Sequence, residues 1–248
     1  VSGDDGDGAV GAVVTRWARE ALGLLLPVEC PGCGRWDVPL CTECGSVWRR
    51  EPWRCDDAAP ALAGTGLATW ALAPYAGAAR GTLLAWKRGG RADLGPHLTA
   101  AVRAAGAAMA GVLRAQARLD GRPVVVPAPS GWRRRARGRF VAGALARAVA
   151  AGLEDGGLPG PIPVADALRR AGGRARQAGL GAHGRGANRR GTTRVARRLP
   201  AGLPVVLVDD VVTSGATLAD CRRALVASGS DVVAALVLAA TPGRRDVP

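Results

Sequence analysis

The sequence predicts an α/β protein, with a mainly parallel sheet flanked by helices and a small cysteine-bearing module ahead of it. Three observations carry this. Short apolar runs at 123–126, 205–208 and 232–239 read as strands buried on both faces, as in parallel sheets. Segments of helical spacing separate them, and such alternation places ligands at the carboxyl ends of the strands. Five of the six cysteines crowd into residues 28–57, outside that alternation. A chain of 248 residues accommodates one α/β domain and a smaller appendage.

Residues 1–9, rich in Gly and Asp, read as disordered. Val13, Val14, Trp17, Ala21, Leu24 and Leu25 recur at near-helical spacing, so 10–26 reads as a short helix that Pro27 stops. The chain therefore divides into a leading segment (1–26), a cysteine module (27–57) and a main domain (66–248). In the main domain, 67–73 reads as a strand, 78–86 and 94–118 as helices, and 123–126 as a buried strand. A helix over 140–151 and a short strand over 162–164 follow, then a long Gly/Arg loop over 171–191. Strand 205–208, a helix over 217–228 capped by Gly229, and strand 232–239 complete the series.

Charge is distributed unevenly. Between Arg122 and Arg198 stand 17 arginines against three acids, an excess equal to the +14 of the whole chain. A localised excess suits a polyanion: diphosphate, nucleic acid or both. Tryptophans exposed at the surface would add stacking platforms for single-stranded DNA. The arginine bias is also that of a GC-rich coding sequence, so individual arginines can equally form a solvated face. No run of 18 apolar residues appears, so no membrane insertion is expected. Asp4, Asp5 and Asp7 stand where a secretory signal needs positive charge, so a cytoplasmic location is expected.

In a reducing compartment, cysteines point to metal before disulfides. Cys30, Cys33, Cys41 and Cys44 form C-x2-C-x7-C-x2-C, with glycine after each second cysteine. Each pair lets two thiolates converge on one ion, and four thiolates suit tetrahedral Zn²⁺ in a closed structural site. Disulfides, free thiols or an iron–sulfur cluster are the alternatives. Cys55 has no C-x2-C partner nearby, so whether it is a leftover ligand stays open, and Cys221 reads as a buried small hydrophobe.

The most informative stretch is 205–217. After the apolar strand come Asp209 and Asp210, then Thr213, Ser214, Gly215, Ala216 and Thr217, which open into a helix. Such a loop aims backbone N–H groups and hydroxyls at an anion, and the helix macrodipole favours it. Two nearby carboxylates accept hydrogen bonds from vicinal sugar hydroxyls. Strand, diacid and loop together fit a ribose 5-phosphate; the alternative is that the acids merely cap a turn. A second loop leaves strand 123–126 with Arg137 and Arg139, suited to the oxygens of a diphosphate. The 171–191 segment, with Gln177, Arg185 and Asn188, is long and polar enough to be a lid. Lys87 is the only lysine, and its retention among arginines marks either a site that needs a compact ammonium or chance.

The 205–217 order resembles the phosphoribosyl-diphosphate (PRPP) signature of type I phosphoribosyltransferases. With the cysteine knuckle, Trp86-Lys87-Arg88-Gly89-Gly90, the Val-Pro-Ala-Pro strand end with Arg137-Gly138, and Gln177 through Gly191, the chain resembles the ComF family over residues 27–240. Members of that family are competence-associated proteins with an N-terminal zinc finger. One departure is that Arg139-Phe140-Val141-Ala142 replaces the family's Phe-Asn-Gln after Arg-Gly. The resemblance implies a type I phosphoribosyltransferase fold, PRPP with Mg²⁺, structural zinc, a nucleobase as co-substrate, and a transferase activity. It also implies DNA uptake as the setting, with competence-machinery proteins as partners, and admits a non-catalytic PRPP-sensing or single-strand-binding role.

Overall fold

The structure, a computed structural model, describes residues 28–88, 90–115, 122–129, 141–170 and 193–242. Its strands are β1 (Trp53–Arg54), β2 (Thr69–Pro74), β3 (Val124–Pro127), β4 (Leu168–Arg170), β5 (Thr193–Val195), β6 (Pro204–Val212) and β7 (Asp231–Ala240). Its helices are α1 (Thr42–Ser46), α2 (Gly77–Arg88), α3 (Leu94–Ala115), α4 (Val141–Asp155) and α5 (Ala216–Val226). The main sheet runs β1-β2-β7-β6-β3; only the short β1 is antiparallel to its neighbour. This is the expected α/β architecture with a mostly parallel sheet.

The period-two alternation of side chains along the strands divides the core between the two faces of the sheet. Val206 and Val208 face one side with Leu72, Val125, Leu236 and Leu238, under α2, α3 and α4. Val205 and Leu207 face the other with Ala71, Val126, Ala235 and Val237, under Leu218, Cys221 and Leu225 of α5. Both faces are covered, which is why these strands lack the apolar–polar alternation of a half-exposed sheet. A register shift where Val205 and Val206 meet Val232 and Ala234 leaves Val233 as an extra residue.

Several boundaries move for physical reasons. The expected strand over 162–164 shrinks to a single parallel bridge, Val125 to Val164. Pro161 and Pro163 have no N–H to offer a ladder, so only Pro163 O and Ala165 N bond to Val125, each at 2.9 Å. The β4–β5 pair was not foreseen, since two three-residue strands are too short to show a period. Strand 205–208 extends to Val212, so the diacid lies within β6 and not beyond it. The chain turns at Gly229 after α5, as expected, and Ser230 N–H returns to Leu225 O at 3.1 Å. The expected 10–26 helix, the 1–9 segment and the 171–191 loop lie outside the described residues.

Among the described residues one helix, α3, is long and apolar enough to cross a membrane. Its buried residues Leu94, Leu98, Val102, Ala105, Met109 and Leu113 make one stripe in the core facing the sheet and α4, as in a core helix.

Candidate functional site

At the carboxyl end of β6 the chain forms a shallow hollow lined by Asp209, Val211, Val212 and residues 213–218. Gly215 is the N-cap of α5, at φ 77°, and offers no capping side chain; Ala216 N–H makes only a long bond, 3.5 Å, to Ser214 Oγ. The N–H groups of the first turn therefore keep their capacity for an anion. The floor is a segment that the sequence reading left unassigned, where Ala61 N–H donates to Ser214 O at 2.9 Å. Ala59 and Leu62 pack directly under Gly215. No signal in this alanine-rich stretch marks it as part of a site.

A Cβ on Gly215 would lie 2.6 Å from Leu62 Cγ and would also be held at a left-handed φ. Gly215→Ala is therefore expected to cost about 2–4 kcal/mol from strain and overpacking combined. Chemical denaturation would read this, and a loss under ~1 kcal/mol would show that the cradle is not held by this contact.

The pleat of β6 separates the two acids. Asp210 continues the Val206–Val208 face toward the end of α2, where its Oδ2 meets Lys87 Nζ at 2.9 Å. Both side chains are about one-fifth exposed (22% and 21%), so solvent partly screens the pair. Asp209 continues the other face, with Arg170 and Cys221 among its electrostatic neighbours. Asp209 Oδ1 accepts a hydrogen bond from Asp210 N–H at 2.8 Å. Burial, and then the negative charge of Asp210, push the Asp209 carboxyl up to about 7, against the pull of that N–H, Lys87 and Arg170.

This has a sign that can be tested. Between pH 4 and pH 7 the folded state holds a proton on Asp209 that the unfolded chain releases. Stability is then lost as pH rises through that window, and the loss is complete above about pH 7. Asp209→Asn is expected to melt higher than the parent at pH 8, with the gap closing toward pH 4. A constant gap across the range would refute the raised carboxyl.

Of the residues expected at the site, Asp209, Thr213, Ser214, Gly215, Ala216 and Thr217 line the hollow, while Asp210 pairs with Lys87 beside it and is not part of that lining. Arg137, Arg139, Gln177, Arg185 and Asn188 lie outside the described residues. Arg170, at the end of β4, was missed. Its Nε donates to Pro129 O at 3.2 Å, tying β4 to the end of β3. The only hint in the sequence is the Arg169-Arg170 pair that opens the long loop.

Cys30, Cys33, Cys41 and Cys44 form one cluster whose ligand atoms all lie within 4.8 Å of one another. A tetrahedron with ~2.3 Å metal–sulfur bonds has sulfur–sulfur edges of about 3.8 Å, and Cys33 Sγ lies 3.7 Å from Cys41 Sγ. The donor set and its spacing thus fit a metal such as zinc. All six cysteines are free of disulfides. Cys30 is a ready thiolate: burial works against it, but backbone N–H groups of Cys41, Gly32 and Cys33 lower its pKa to about 6. Cys55 takes no part; it is buried in the core, its Sγ 3.5 Å from Thr69 O, and burial pushes its thiol up to about 12. Cys221 is buried, as expected.

The expectation of several exposed tryptophans does not hold among the described residues. Trp48 and Trp70 are buried, Trp53 and Trp86 half-buried, and only Trp36 is well exposed. Trp48 and Trp70 fill core space beside the small Ala and Val side chains of the sheet, which leaves Trp36 as the one well-exposed ring among the described residues.

Compared with known proteins, the chain matches no protein-family model and no curated protein.

Proposed function

We propose that the chain is a PRPP-binding protein with a type I phosphoribosyltransferase fold, which exchanges a diphosphate and a nucleobase at C1 of ribose 5-phosphate. The observation that carries this reading is the glycine N-cap of α5 at Gly215, seated on Ala59 and Leu62, shortly after a strand that bears two acids. In this reading the 5-phosphate takes the N–H groups and hydroxyls of residues 213–217. Asp209 and Asp210 receive the ribose hydroxyls, Asp210 exchanging Lys87 for them. Lys87 is then free to meet the diphosphate, joined by Arg137, Arg139 and the Gln177, Arg185 and Asn188 loop.

The C1–O bond to diphosphate breaks with its electron pair leaving on the diphosphate oxygen, a C1–N bond to the base forms, and the N–H proton of the base passes to the departing diphosphate or to water. The two carboxylates stabilise the positive charge that develops on the sugar. Mg²⁺ bound with PRPP would neutralise the diphosphate further, and in this reading Asp209 and Asp210 would be the residues to hold it with the substrate. The cysteine cluster is read as a structural zinc site, and the resemblance to the ComF family supplies DNA uptake as the setting.

Calorimetry with PRPP and Mg²⁺, followed by a screen of nucleobases for diphosphate release, tests this. Binding with base-dependent release supports the enzyme. Binding without release under any base leaves a PRPP sensor. No binding overturns the reading.

A further inference from the structure

The cysteine module is packed along α2, the helix whose last turn carries Lys87. At the start of α2 the approach is backbone-close. A Cβ on Gly32 would meet Cys44 Sγ at 2.6 Å and Ala78 Cβ at 3.0 Å, and one on Gly81 would run into Pro31 O. Beyond the end of α2, Arg91 grips the same module. Its Nη1 donates to Glu29 O at 2.7 Å and its Nη2 to Pro39 O at 2.6 Å, while Asp93 holds the guanidinium from the other side at 2.8 Å. Glu29 precedes Cys30 and Pro39 lies two residues before Cys41, so both carbonyls belong to the turns that present the thiolates. A helix of 12 residues, about 18 Å long, is thus held near both ends by the loops that would wrap the metal.

We infer that Arg91 and the Gly81 contact are positioning residues for Lys87, so that metal held by the four cysteines sets the Lys87–Asp210 ion pair from a distance. The coupling runs through packed backbone. Metal held by the four thiolates would fix Cys30 and Cys41 about one centre; the carbonyls of the turns that carry them seat Arg91, and Arg91 fixes the chain four residues beyond Lys87. Removal of metal from the loaded chain would take away the common centre of the two knuckle turns, loosen the seat for Arg91 and leave the last turn of α2 free to fray. Lys87 then leaves Asp210, which loses its ammonium partner.

The chemistry of the chain supplies a direct reporter. Lys87 is the only lysine, so acylation with an N-hydroxysuccinimide ester, resolved from the N-terminal amine by mass spectrometry, reads this side chain alone. Because the ion pair belongs to the site assigned above to PRPP, the test is read without PRPP, and the two can fail separately. In the metal-loaded full chain, Asp210→Asn is expected to raise the rate of Lys87 labelling about threefold, by freeing the amine. Chelation of the metal is expected to give a similar rise in the parent and little further rise in Asp210→Asn. Arg91→Ala, which leaves all four cysteines and the bound metal in place, is expected to reproduce the rise. Unchanged labelling in Arg91→Ala overturns the inference, as does a chelation effect that is just as large in Asp210→Asn.

Discussion

Replacing Asp209 and Asp210 together by asparagine is expected to abolish measurable PRPP binding. Each carboxylate that receives a sugar hydroxyl makes a charge-assisted hydrogen bond, worth about 1.5–3 kcal/mol. Loss of both is then roughly 3–6 kcal/mol, or about a hundredfold to ten-thousandfold in affinity. Calorimetry in the presence of Mg²⁺ reads this directly. The usual objection, that such a variant has simply unfolded, has a built-in answer in the physical chemistry of Asp209. Burial disfavours its charged form, so asparagine there removes a penalty at pH 8. A double variant that folds well, melts as high as the parent and fails to bind would fix the loss on the site. Retained affinity in a folded double variant would refute the assignment of the ribose to these acids. Asp210→Asn alone separates the two roles. It frees Lys87 from its 2.9 Å partner, so a diphosphate contact by Lys87 predicts a smaller loss than for Asp209→Asn.

Removal of metal from the cysteine cluster carries the second large effect. A ligand bound only by the folded state stabilises it in proportion to the logarithm of its saturation, ~4 kcal/mol at a thousandfold excess over Kd. For a domain of this size each kcal/mol moves the melting temperature by about 2–4 °C, so chelation is expected to lower it by about 8–16 °C. Cys44→Ser should do the same, since Cys44 is buried and its Sγ is packed against Gly32. One zinc per chain by elemental analysis should accompany the higher melting form. A chain purified without metal, whose melting ignores chelator, would leave the four thiols as packing and end the structural-zinc reading. The effect should reach beyond the knuckle, because Gly81 and Arg91 bind it to the helix system around the core.

The two effects differ in kind. The acids stand at the end of a strand whose burial they weaken, and their charge has value only when something binds. The cysteines, by contrast, contribute to folding once metal is present. Such a division is common where a site is built at some cost to the scaffold that holds it.

Much of this was legible in the sequence because its signals are local. Four apolar residues before Asp209 read as a buried strand, Gly215 after hydroxyls as a tight entry to a helix, and two C-x2-C pairs as ligands of one ion. Each depends on neighbours a few positions away along the chain, and so the α/β alternation, the cradle and the cysteine cluster were all visible. What remained hidden depends on residues far apart. The alanine-rich floor under Gly215, the Arg170 that looks onto Asp209, and the prolines that reduce 162–164 to a single bridge carry no pattern of their own.

The order of residues by itself determined an α/β chain with an acid pair beside an anion loop and a four-thiolate knuckle. Only tertiary structure decided that the pleat turns the acids to opposite faces, that Lys87 pairs with Asp210, and that the knuckle lies along the helix bearing that lysine. The reason is physical. Periodicity and turn chemistry act over a few bonds, whereas charge pairing and close packing act through space between segments whose separation no local pattern records.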